Sequence, residues 1–298
     1  MTEKIKVTFL GTSGAFPTAK RNHPSFLISF QGDSILVDCG EGTQKQLRKA
    51  KISPCKIDKI LITHWHGDHI LGLPGLLQSL SLNEYNKKLT IYGPKGIKKK
   101  IFFMGKAFPY NVNLEVKEIS KKFFENDYFY LEAQEMDHGI FCNAYNFVLK
   151  NKIKINPEKL KKYNIPEGKH LSPLKSGKNI KYNGKRYLAK NLTFKEKSKK
   201  ISFVMDTAIN PRIKKFVEEA DLLVIESTFS SNEEKLAKEH KHMTLKQSVN
   251  EAKKANVKKL ALVHISDRYE NQFENFLKEA KKNFENTIIP EDLNSVEI

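Results

Sequence analysis

His64-Trp65-His66-Gly67-Asp68-His69 sets three imidazoles and a carboxylate within six residues, directly behind the apolar run Ile60-Leu61-Ile62. In extended backbone, positions 64 and 66 point to the same side, and a turn at Gly67 swings Asp68 and His69 round to face them. Burying such a set is expensive unless something binds it. Zinc prefers that mixture of nitrogen and oxygen donors. A pair of surface histidines is the plain alternative, and four donors at the end of one apolar strand argue against it.

Outward from this cluster, three more donors follow apolar runs. His138 stands in Met136-Asp137-His138-Gly139, Asp206 follows residues 201–205, and His264 follows residues 260–263. Alone, each reads as a structural histidine or a capping aspartate. With the cluster they make seven donors, enough for two metal ions if one carboxylate bridges them.

Strand patterns open both halves of the chain, at 4–10, 25–30, 34–38, 57–63 and 89–92, and again at 201–205, 222–226 and 259–264. Residues 128–131 and 144–149, on either side of His138, are also strand-like. Helical patterns lie between, at 43–51, 70–82, 211–220, 244–255 and 271–284. This predicts an α/β protein with two sheets and helices outside them. Residues 150–200 break the pattern, with Pro157, Pro166, Gly168, Pro173, Gly177 and Gly184 among lysines and no sustained period. They read as an inserted arm or long loop in a single domain of 1–298.

The chain has 298 residues, 39% hydrophobic and 29% charged, which excludes wholesale disorder. No stretch approaches a membrane span and the start lacks a secretory signal. Three scattered cysteines rule out a disulfide framework, so a soluble, cytoplasmic protein is expected. The net charge of +18 is concentrated: residues 150–200 hold 17 basic and 3 acidic residues, or +14. Compositional drift would spread the excess, so this segment is expected to bind a polyanion.

Several motifs together resemble ribonuclease Z of the metallo-β-lactamase superfamily. They are Phe9-Leu-Gly11-Thr12-Ser-Gly14, Pro17 with Arg21-Asn22, Asp38-Cys-Gly-Glu41-Gly-Thr-Gln44, the histidine cluster with Ile70-Leu-Gly72-Leu-Pro-Gly75, and Tyr92-Gly-Pro94. Met205-Asp206-Thr207, Glu226-Ser-Thr-Phe229, His242-Met-Thr244 and His264-Ile-Ser-Asp-Arg268-Tyr269 follow. The resemblance implies a metallo-β-lactamase αββα sandwich with an inserted flexible basic arm that grips tRNA.

It further implies two zinc ions per subunit, with manganese or iron as alternatives. His64, His66 and His138 would hold one, Asp68, His69 and His264 the other, and Asp206 would bridge. Asp68 would act as base, with His242, positioned by Glu226, as acid. The implied substrate is precursor tRNA, cut to leave a 3′-hydroxyl on the tRNA and a 5′-phosphate on the trailer, in a homodimer. A small-molecule hydrolase of the same fold is the main alternative, against which the basic segment argues. A non-catalytic RNA-binding relative is the other, against which the complete donor set argues. Trp65 and Tyr269 could stack on a base or simply pack, and Cys39 has no neighbouring base to make it a nucleophile.

Overall fold

The computed structural model describes residues 4–298. Two seven-stranded sheets form its body. The first runs, in spatial order, through Ser295–Glu297, Lys6–Gly11, Ser25–Phe30, Asp33–Val37, Lys59–Leu61, Leu89–Gly93 and Leu114–Glu118. Its pairings are antiparallel up to Asp33–Val37 and parallel beyond. The second runs through Thr287–Ile288, Leu260–Val263, Leu222–Glu226, Lys200–Val204, Phe141–Leu149, Phe129–Asp137 and Lys121–Glu125. Its strands from Lys200–Val204 to Thr287–Ile288 are parallel.

The sheets meet through aromatic side chains. Phe26 of the first lies 5.7 Å from Phe203 of the second, and Phe30 lies 5.9 Å from Phe147, ring centre to ring centre. Helices cover the outer faces because their apolar residues recur every three or four positions. On Leu73–Leu82, Leu73, Leu76, Leu77 and Leu80 are buried against Ile60, Ile62 and Ile91. On Leu245–Lys254, Leu245, Val249 and Ala252 pack against Leu223, Ile225 and Leu262. That second helix starts with a capping box: Thr244 Oγ1 accepts from Gln247 N–H at 3.3 Å, and the Gln247 amide oxygen accepts from Thr244 N–H at 2.9 Å. Each buried leucine contributes about 1.5–3 kcal/mol through removal from water. This is the expected α/β sandwich.

The expected strand at 57–63 is shorter, Lys59–Leu61, because the chain leaves the ladder to place its histidines. The 70–82 helix divides into Gly67–Ile70 and Leu73–Leu82. Residues 150–200 also differ from an irregular loop. Glu125–Tyr130 and Val148–Lys199 form a second compact unit. It contains two two-stranded ladders, Lys152–Ile155 with Thr193–Glu196 and Ile180–Tyr182 with Lys185–Tyr187. Leu160, Ile165, Leu171, Leu174, Ile180, Ala189 and Leu192 make its own small core. These elements are too short for a period of 2.0 or 3.6 to stand out among lysines. Among the described residues, no helix is long and apolar enough to cross a membrane.

Candidate metal centre and catalytic site

Parallel strands deliver the chemistry side by side. Asp206 lies two residues past Lys200–Val204, Glu226 is the last residue of Leu222–Glu226, and His264 follows Leu260–Val263. In the first sheet, Asp38 follows Asp33–Val37 and His64 lies just beyond Lys59–Leu61. Asp38 and His264 both have positive φ, 56° and 57°. Such backbone is uncommon outside glycine and is held by its surroundings. The His264 N–H bonds to the Thr12 carbonyl at 3.1 Å, and the Asp38 N–H to the Leu61 carbonyl at 2.9 Å.

All seven expected donors come together, in two groups that share Asp206. His64, His66, His138 and Asp206 form one; Asp68, His69, Asp206 and His264 form the other, with the donor atoms of each within 4.8 Å of one another. In the first, His64 Nε2 lies 3.0 Å and His138 Nε2 3.2 Å from His66 Nδ1, while Asp206 Oδ2 is 3.6 Å from both His64 Nε2 and His138 Nε2. In the second, His69 Nε2 and His264 Nε2 stand 3.2 and 3.3 Å from Asp68 Oδ2, and His264 Nε2 stands 3.2 Å from Asp206 Oδ1.

Four of the five rings, His66 being the exception, have a partner on the nitrogen turned away from the cluster. His69 Nδ1–H donates to Asp38 Oδ2 at 2.7 Å, and His138 Nδ1–H donates to the Lys241 carbonyl at 3.0 Å. Carboxylate and carbonyl oxygens only accept, so these contacts fix the protons on Nδ1 and turn the Nε2 lone pairs inward. Thr63 Oγ1 sits 3.0 Å from His64 Nδ1, and Thr228 Oγ1 sits 3.1 Å from His264 Nδ1. Lone pairs facing each other at 3 Å repel unless a cation lies among them. Ligand atoms about 2.0–2.1 Å from a tetrahedral ion stand roughly 3.3 Å apart, close to these separations. The buried His69 Nε2 and Asp206 Oδ1 also lack hydrogen-bond partners. The donor set therefore fits divalent metal ions.

The electrostatics agree. Burial opposes charge on His69, but Asp206, Asp68 and Asp38 around it overcome that and raise it well above the ordinary histidine range. Burial, reinforced by the neighbouring His69, pushes His64 well below that range. Burial works against ionised Asp68, yet His69 and His264 hold it far below the usual carboxylate range. Metal ions would take over the positive charge that protons otherwise supply.

Beside this centre stands a third cluster, Glu226, His242 and His264. Glu226 is fully buried and accepts from Thr207 N–H at 2.6 Å, the Thr228 hydroxyl at 2.6 Å and Met243 N–H at 3.1 Å. His242 Nδ1 lies 3.1 Å from both its carboxylate oxygens. Burial lowers the His242 pKa, but the charge and hydrogen bond of Glu226, with the charge of Asp206, reverse that and leave it raised to about 9. The imidazolium is thus the neutral-pH form, with Nε2 carrying a proton to give. Its ring is 4.9 Å from that of His138 and stacks 5.6 Å from that of His264.

Sequence reasoning did not assign Asp38, Thr63 and Thr228, which hydrogen-bond the donor histidines and belong to neither donor group. A buried carboxylate at a strand end was the available signal for Asp38. Tyr269 is 7% exposed and its hydroxyl bonds to Glu233, so it packs. The Cys39 thiol, desolvated by burial, is pushed up to about 12 and is no nucleophile.

Residues 5–284 match the family model described as Anti-Pycsar protein Apyc1. Ribonuclease Z of Nanoarchaeum equitans is 40% identical over 294 residues, 98% of this chain and 92% of the relative. Ribonuclease Z of Clostridium novyi is 41% identical over 303 residues, 97% of each. Among solved structures, the short form of human tRNase Z superposes with a TM-score of 0.71 at 26% identity, covering 98% of both chains. The metallo-beta-lactamase fold protein YhfI of Bacillus subtilis superposes with a TM-score of 0.73 at 20% identity over the whole of both chains, a likeness of fold.

Proposed function

The chain belongs to the ribonuclease Z family, its Apyc1 model match spanning the same body, and on that basis we propose that it is a zinc-dependent endoribonuclease that removes the 3′ trailer from precursor tRNA. The observation that carries this is the junction of two donor groups through Asp206, with His242 held beside them by Glu226.

His64, His66 and His138 would hold one zinc ion and Asp68, His69 and His264 the other, with Asp206 between them. The bound ions supply Lewis-acid stabilisation of the phosphate charge and make an attacking water more acidic. Asp68, with its carboxylate in the second donor group, would accept the proton that the water gives up. His242 donates its Nε2 proton to the departing 3′-oxygen of the tRNA body. Glu226, hydrogen-bonded to His242 Nδ1, keeps that ring charged and oriented. The products are a tRNA with a 3′-hydroxyl and a trailer with a 5′-phosphate.

The basic segment 150–200, with its +14, serves as the tRNA-binding arm. Its lysines neutralise backbone phosphates without reading bases, which suits an enzyme serving many tRNAs. A cytoplasmic homodimer is the form we propose, as the ribonuclease Z resemblance implies.

The test is incubation of precursor tRNA carrying a 3′ trailer with wild type, His66→Ala and a 155–195 deletion, with and without zinc. Cleavage after the discriminator nucleotide, lost in His66→Ala and weakened mainly in affinity by the deletion, supports the reading. Wild type that splits bis(p-nitrophenyl) phosphate but leaves the precursor whole would transfer the site to a small-molecule phosphodiesterase.

A further inference from the structure

A cavity of about 730 Å³ opens beside His64 and His138. It ends on two aromatic rings that metal binding does not explain. Trp65 is partly exposed, with Lys100 Nζ 5.6 Å from its ring centre. Phe141 is 52% exposed, with Lys95 Nζ 5.6 Å from its ring centre. Arg212 and Lys241 add two more cations to the lining, Lys241 being paired with Asp137 at 2.8 Å. Packing accounts for the inner edge of Trp65, which rests on the helix-covered core of the first sheet. It does not account for Phe141, whose half-exposed ring faces the same cavity. Aromatic platforms interleaved with cations are the construction that single-stranded nucleic acid selects, because every base has a π-face and every linkage a negative charge.

Resting on the tRNA reading above, we propose that this cavity holds the first nucleotides of the 3′ trailer. Their bases stack on Trp65 and Phe141, and their phosphates meet Lys95, Lys100 and Arg212. A bounded space of this size takes about one or two nucleotides, so it suits the single strand and not the base-paired acceptor stem. Stacking is tolerant of sequence, as trailers of unrelated sequence require. The two lysines that now cover the rings are long enough to turn from ring face to phosphate as a base arrives.

Trp65 is the only tryptophan in the chain, so its fluorescence reports on this cavity directly. Titration of the full-length protein with 5′-phosphorylated diadenylate is expected to quench that emission to saturation. Ribose 5-phosphate at the same concentrations is expected to leave it unchanged, and the Lys95→Ala/Lys100→Ala variant to bind the dinucleotide about tenfold more weakly. No quenching, or equal quenching by ribose 5-phosphate, overturns the proposal.

In cleavage assays, Trp65→Ala should raise KM for precursor tRNA about tenfold with little change in kcat, and Trp65→Phe should restore it. On a precursor whose first trailer nucleotide is abasic, wild type and Trp65→Ala should be alike. An equal loss on intact and abasic trailers, or a loss that follows the discriminator base, overturns the trailer as occupant. Wild type that binds the dinucleotide yet cuts no precursor overturns the tRNA reading and the trailer with it. Cleavage without quenching overturns the cavity assignment alone.

Discussion

Replacing Asp38 with asparagine isolates the contribution of a residue that holds a metal donor, His69, without belonging to either donor group. The buried carboxylate accepts three hydrogen bonds: Thr63 N–H on Oδ1 at 2.8 Å, and on Oδ2 the Thr63 hydroxyl at 2.8 Å and His69 Nδ1–H at 2.7 Å. Asparagine has the same shape and tolerates the φ of 56°, so neither a cavity nor a backbone change accompanies it. Its NH2 group must nevertheless face a donor. Turned to Thr63 N–H, it leaves two buried donors opposed, at about 1–3 kcal/mol of stability. Turned to His69, it becomes the donor itself, and the His69 proton moves to Nε2, the atom that would ligate.

Loss of such a partner typically weakens metal binding about 10–100-fold, or roughly 1.4–2.7 kcal/mol. Competition titration of zinc against a chromophoric chelator measures the affinity, and the urea midpoint of the metal-free protein measures the other branch. An Asp38→Asn protein with wild-type zinc affinity and an unchanged urea midpoint would refute the orienting role of Asp38.

Three further outcomes are expected. Because the His242 pKa is raised to about 9 by Glu226, the protonated acid is present below that pH and is lost as pH rises through it. Glu226→Gln should therefore move the basic limb of the kcat profile to lower pH, while an unmoved limb would assign it to another group. Thr244→Ala removes one half of the capping box and should cost about 1 kcal/mol in urea unfolding, with activity on bis(p-nitrophenyl) phosphate retained. Leu174→Ala removes a fully buried side chain from the small core of the second unit, where about 2–5 kcal/mol exceeds what seven buried residues can spare. Its tRNA affinity should fall while hydrolysis of bis(p-nitrophenyl) phosphate persists, and loss of both would show that the second unit is not independent.

The sequence announces candidate metal donors far better than their supports. His64, His66, Asp68, His69, His138, Asp206 and His264 are visible because metal-type donors at the ends of apolar runs have few other uses, and they do converge. Asp38 and Thr228 act on His69 and His264, 31 and 36 residues away, and Thr63, beside His64, is held by Asp38 from 25 residues back, relations that only the folded chain creates. Core strands such as Leu222–Glu226 were legible from their continuous apolar runs. Leu114–Glu118 and Lys121–Glu125 were not, since these edge strands are rich in lysine and glutamate and bury little. The helix Glu234–His240 escaped for the same reason, with Ala237 its one buried residue.

The support of His242 is tied to the backbone ladder itself, since Glu226 is the last residue of its strand and the parallel strands on either side lead to Asp206 and His264. Neighbouring strands keep a spacing of about 4.8 Å for as long as the ladder exists. Glu226 therefore keeps its place, and Asp206 and His264 their points of departure, while the sheet is intact. Loss of the Glu226 support on heating should thus coincide with cooperative melting of the whole body. Improvements to the thermal endurance of this site would have to come from the sheet and its covering helices, not from the residues that do the chemistry.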